Sequence, residues 1–132
     1  MRRSATLLLG IPLVLAALAG CSAPAPVCVP RLSVTPNPAH PGDTIRLASS
    51  DVCDAAVPAE GWRVVVHPSG SSGSTVSVTT SAAFDGSFGT SVTLPEDFDE
   101  GEGSAGIENW DYPTCPDDAS CATVSGSFIV TP

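Results

Sequence analysis

Five cysteines, two histidines and one dense acidic run are the features of this chain from which chemistry could be built. The acidic run reads Pro95-Glu96-Asp97-Phe98-Asp99-Glu100-Gly101-Glu102. Hard cations take about six to eight oxygen ligands, so Glu96, Asp97, Asp99, Glu100 and Glu102 are weak candidates for a Ca²⁺ site. Their spacing is not that of an EF-hand loop, and the same run also reads as an open, solvated interstrand loop. A second candidate is the segment Asn109-Trp110-Asp111-Tyr112-Pro113-Thr114-Cys115-Pro116-Asp117-Asp118-Ala119-Ser120-Cys121. Trp110 and Tyr112 offer amphipathic contact area and Asp111 an acceptor, which makes these three the candidate binding residues. The competing reading is that Trp110 caps one end of a core. His40 stands beside the turn Pro41-Gly42, and His67 directly precedes Pro68. No G-x-S-x-G elbow is present, and nothing in the sequence brings a serine to either histidine. Lysine is absent, which excludes a P-loop and Schiff-base chemistry. The expectation is a protein that is not an enzyme, with no cofactor and no resident metal.

The elements that must position such residues are bounded by composition. A chain of 132 residues allows one domain of ordinary size. Its 14 Asp+Glu against five arginines give a net charge of −9, which leaves no basic patch for nucleic acid. A hydrophobic fraction of 42% with only 14% charged residues argues for a folded chain. Aromatics are 5%, so the core is expected to rest on Val, Leu, Ile and Ala. Twelve Gly and 13 Pro disfavour long helices and suit short strands joined by turns.

Residues 1–20 have the layout of an export signal. Arg2 and Arg3 supply a positive start, and Leu7 to Leu18 is an apolar run broken by Gly10 and Pro12. That run is shorter than the roughly 20 residues a spanning helix needs. It ends in Leu18-Ala19-Gly20-Cys21, which resembles the bacterial lipobox at each position. The resemblance implies cleavage before Cys21, diacylglyceryl modification of its thiol, and acylation, as by palmitate, of the new amino terminus. It places the mature chain on the outer, extracytoplasmic face of the cell membrane, with the membrane as a partner through the lipid on Cys21. Residues 21–27 then form the lipidated Cys and a short Ala/Pro tether, and residues 28–132 the domain. At roughly 3.1 Å per residue, Ser22 to Pro26 would hold that domain only about 15 Å from the bilayer.

Setting Cys21 aside leaves Cys28, Cys53, Cys115 and Cys121. An even number in an exported chain reads as disulfides, and these four allow three connectivities. Cys28–Cys53 and Cys115–Cys121 are favoured because each pair brackets a local unit: the first flanks a predicted hairpin, and the second closes the loop CPDDASC. The spacings are not those of a zinc site.

Seven stretches alternate apolar and polar residues: RLSVT, DTIRLAS, GWRVVVH, STVSVTT, Gly86 to Leu94, GSAGIENW and Ala122 to Thr131. Period-two alternation gives each strand one buried and one wet face. Seven short strands with frequent turns predict an all-β, antiparallel two-sheet sandwich, with Trp62, Val64 and Val66 filling its middle. Asp85-Gly86 is read as a hairpin turn.

The pattern VTPNPAHPGDTIRL, then FDGSFGTSVTLP, a Cys-bracketed loop and a final SGSFIVTP resembles Ig-like domains of exported actinobacterial proteins. A narrower likeness is to the neocarzinostatin-type apoproteins, seven-stranded sandwiches that hold a chromophore in a cleft. The first resemblance implies the fold, and together with the lipobox the expectation is a lipid-anchored binding or structural module whose partner is an envelope protein, a glycan or a small apolar ligand. The second implies a carrier of a hydrophobic small molecule.

Overall fold

In the computed structural model of this protein, the described residues are 27–70, 73–112 and 121–132. The export signal, Cys21, the tether up to Pro26, and Cys115 lie outside them. The seven alternating stretches become β1 (Ser33–Thr35), β2 (Thr44–Ser49), β3 (Trp62–Pro68), β4 (Val76–Thr80), β5 (Phe88–Thr93), β6 (Gly101–Ile107) and β7 (Ser125–Val130). They form two antiparallel sheets, one ordered β1-β2-β5 and the other β4-β3-β6-β7. The chain is therefore an all-β two-sheet sandwich, Ig-like in its strand order, with the fourth strand paired to the third.

Register follows from which residues must avoid water. Ile45 opposes Val92 in the smaller sheet. In the larger sheet Val64 opposes Ile107, and Val66 opposes Ala105. All six are buried, so a slip by one residue would turn these inner rows to solvent. The sheets are stitched along one side where β1 meets β7. There the Leu32 N–H donates to the Ser125 carbonyl at 3.2 Å, and Ala39 exchanges bonds with Ile129 and Thr131, both at 2.9 Å. Gly126 makes that approach possible, because a Cβ there would run into the carbonyl of Leu32.

Cys28 and Cys53 form a disulfide with their Cα atoms 5.7 Å apart, as their flanking of the β1–β2 hairpin suggested. Cys121 is also disulfide-bonded, and its expected partner Cys115 lies outside the described residues. Asp85-Gly86 does not close the hairpin its sequence suggests. β4 and β5 belong to different sheets, so this turn carries the chain across the sandwich. Gly86, at a φ of 94°, and the Ser87 donors still make a tight turn, a geometry that serves a crossing as well as a hairpin. The Ser87 hydroxyl and N–H donate to Asp85 Oδ1 at 2.6 and 3.0 Å and hold that carboxyl below its ordinary range.

Opening the Cys28–Cys53 loop releases a 25-residue separation and should cost about 3 kcal/mol in a chain-entropy picture. Equilibrium urea unfolding of the Cys28→Ser/Cys53→Ser variant should show a lower midpoint with an increased m-value or an unchanged one. An unmoved midpoint would count against the brace.

Candidate functional site

Four aromatic rings are gathered at the pole where β3 begins and β6 ends. Phe84 stacks on Phe88 with centroids 4.1 Å apart, and Trp62 stacks on Trp110 at 4.9 Å. Phe84 meets both indoles edge-on, at 6.0 Å from Trp62 and 5.2 Å from Trp110. Rings at these separations and angles hold one another beyond the area they bury. Trp62 arrives because β3 starts by turning its first residue inward. Phe84 is brought in by the crossing segment, where the Cys53 N–H donates to the Phe84 carbonyl at 2.8 Å.

A cleft of about 560 Å³ opens beside this cluster. Trp62 and Trp110 line it together with Ala55, Ala56 and Pro58 from the segment between β2 and β3. Val27 and Cys28 border it where the described chain begins, and Asp54, Asn109 and Asp111 add polar groups. Asn109 holds two of these walls in place. Its amide N–H donates to the Gly61 carbonyl at 2.9 Å, while its oxygen accepts from the Arg63 N–H at 2.7 Å. Gly61, at a φ of 81°, closes a turn by donating its N–H to the Pro58 carbonyl at 2.8 Å. Just outside, Arg63 and Glu108 pair at 3.0 Å across the exposed face. One loose end remains in the wall. Trp62 Nε1–H is buried with no hydrogen-bond partner among the described residues. An unpaired buried donor of this kind costs about 1–3 kcal/mol, which an acceptor reaching it would relieve.

The candidate binding residues take three different places. Trp110 is buried, with only 7% of its surface exposed, and contributes an indole to the cleft wall from within the core cluster. Asp111 is exposed and borders the cleft. Tyr112 is structural in its contacts. Its hydroxyl donates to the Ile107 carbonyl and accepts from the Val124 N–H, both at 3.0 Å, which ties the end of β6 to the start of β7. Burial raises the pKa of this phenol above its ordinary value, although the bond from Val124 acts in the opposite direction.

The acidic run does not converge. Phe98 is buried and stacks on Phe128 at 6.3 Å, which pins the loop at its middle. Around that pin, Glu96 lies against Gly42, whereas Asp97 accepts from the Ser74 hydroxyl at 3.0 Å. Among the described residues, which include Glu96, Asp97, Asp99, Glu100 and Glu102, no three His, Cys, Asp or Glu side chains gather as a metal site would require. The histidines are equally separate. His40 Nδ1 lies 3.0 and 2.9 Å from the carbonyls of Thr131 and Pro132, and His67 Nδ1 lies 3.1 Å from the carbonyl of Pro68.

Asp54, Ala55, Ala56, Pro58 and the clamp at Asn109 were not singled out from the sequence. The segment from Asp54 to Pro58 has neither alternation nor a motif, and only the neighbouring Trp110 marked Asn109 at all. Comparison with protein-family models, with curated proteins and with solved structures finds no match for this chain.

Trp110→Ala should lower stability by about 3–5 kcal/mol, as truncation of a large core aromatic does. Chemical denaturation checks it, and a loss below about 1 kcal/mol would show that Trp110 carries little of the core. Tyr112 is the single tyrosine, so absorbance at 295 nm reads its ionisation alone. Its midpoint should lie above that of a free tyrosine, about 10. Because the folded pKa is the higher one, the neutral phenol's contribution is complete below about pH 10 and is lost as the pH rises further. An ordinary midpoint would mean that the hydroxyl is open to water.

Proposed function

We propose that this chain is a lipid-anchored Ig-like binding module on the outer face of the cell membrane, without catalytic activity. Its ligand is a small apolar molecule, held in the cleft beside Trp62 and Trp110. The cleft carries this reading. Its volume of about 560 Å³ falls within the range of small-molecule sites, which run from about 300 to 1,000 Å³. Apolar walls with a few polar groups at defined places are the usual make-up of such sites. Two walls are braced before any ligand arrives, one by the Cys28–Cys53 bridge and the other by Asn109, so little ordering cost falls on binding.

The anchor rests on Leu18-Ala19-Gly20-Cys21 directly after an apolar run of signal-peptide length. Cleavage there would remove Arg2 and Arg3 and leave Arg31, Arg46 and Arg63 against 14 acids. A body of that charge gains nothing from an anionic surface, so attachment falls to the acyl chains, at about 0.8 kcal/mol per buried CH₂. The non-catalytic reading rests on the sequence, which carries no G-x-S-x-G elbow and no lysine.

The test is to purify the full chain from the membranes of a bacterial host that processes lipoproteins and to identify co-purifying small molecules by mass spectrometry. Ala56 is exposed and borders the cleft, so Ala56→Trp should obstruct binding without touching the core. An apolar compound should accompany the wild type and be lost from this variant. An equal amount in both would overturn the cleft as the site. In the same host Cys21→Ala should move the protein out of the membrane fraction, and retention at the wild-type level would overturn the anchor.

A further inference from the structure

We propose that the molecule held in the cleft is an organic cation with an apolar body, a quaternary or tertiary ammonium in chemical class. This rests on the cleft being a ligand site and adds the charge of its occupant. Asp54 and Asp111 border the cleft from two different loops, and both are exposed. Among the described residues, neither has a hydrogen bond or ion pair, and no arginine or histidine lines the cleft. Two carboxylates are thus left uncompensated beside an otherwise apolar surface. Trp62 and Trp110, buried and stacked on each other, line the same cleft, and tryptophan is the ring type that attracts cations most strongly. An ammonium whose charge is spread over methyl groups loses little hydration on entering such a place, and its hydrocarbon part fits against Ala55, Ala56 and Pro58. An anion would meet both carboxylates and the field of a chain with a net charge of −9.

The two tryptophans of the chain both line the cleft, so intrinsic fluorescence reports on it directly. The lipidated full chain in phosphatidylcholine vesicles is titrated with benzyltrimethylammonium, benzyl alcohol and phenylacetate, and empty vesicles are subtracted. The cation should bind about tenfold more tightly than the alcohol, the scale of one desolvated cation–aromatic contact assisted by charge. Phenylacetate should bind more weakly than either. The advantage of the cation should shrink in 1 M NaCl, where the Debye length is about 3 Å. It should also largely disappear in the Asp54→Asn/Asp111→Asn variant, which keeps the shape of both side chains. Equal binding of cation and alcohol by the wild type, or an advantage that survives in the double variant, would overturn the charge assignment while the cleft remained a site. Failure of all three probes to perturb the tryptophans would overturn the cleft reading and the charge assignment together.

Discussion

The contact between Trp62 and Trp110 is the interaction on which this structure depends. Aromatic residues are scarce, and the aliphatic rows of a three-stranded sheet facing a four-stranded one leave a gap where the strands run out. Two stacked indoles, with Phe84 and Phe88 behind them, fill that end of the sandwich with the largest side chains available. They also decide where the segments between strands lie. The loop after β6 must pass close enough to seat Trp110, and the crossing from β4 to β5 must pass close enough to seat Phe84. The cleft is the space left over when these rings are packed and the segment from Asp54 to Pro58 is held off them. Trp62 and Trp110 therefore belong to the core and to the wall of the cleft at once.

The other pole uses the same device with fewer rings. Phe98 stacks on Phe128, and the ring of Phe128 lies over Gly103, its partner directly across β6 and β7. A single buried phenylalanine is enough to tether a loop whose carboxylates would otherwise drive it into solvent. Glu96 lies against Gly42, while Asp97 and Asp99 both lie against the adjacent residues Ser74 and Gly73. At one end of the sandwich aromatic packing borders a cavity, and at the other it anchors the acidic loop.

How much of this was legible depended on whether a residue sat in a repeating pattern. Every strand was visible because side chains alternate, and Trp62, Val64 and Val66 face inward as their spacing requires. The Cys28–Cys53 bridge was legible because its ends flank a local hairpin. Phe84 and Phe98 were missed because both lie in loops, where burial is decided by distant partners. Trp110 was read either as a binding residue or as a cap on one end of the core, and its packing on Trp62 and Phe84 makes it that cap. Direction was the other blind spot. A run of acids says nothing about where each carboxylate points until the loop's anchor is known. Asp54 and Asp111 are far apart in sequence, so only the fold could place them beside one cleft.

The stitching of β1 to β7 has a mechanical consequence. The bridge from Ala39 to Val130 is parallel, and the described chain begins near the cleft and finishes at the other end, beside His40. Stretching the domain from its two extremities would pull these segments past each other lengthwise. The bonds from Leu32, Ala39 and Thr131 would then share the load as a group in shear, instead of parting one after another like a zip. Such an arrangement is stiff against a pull applied at both ends of the described chain.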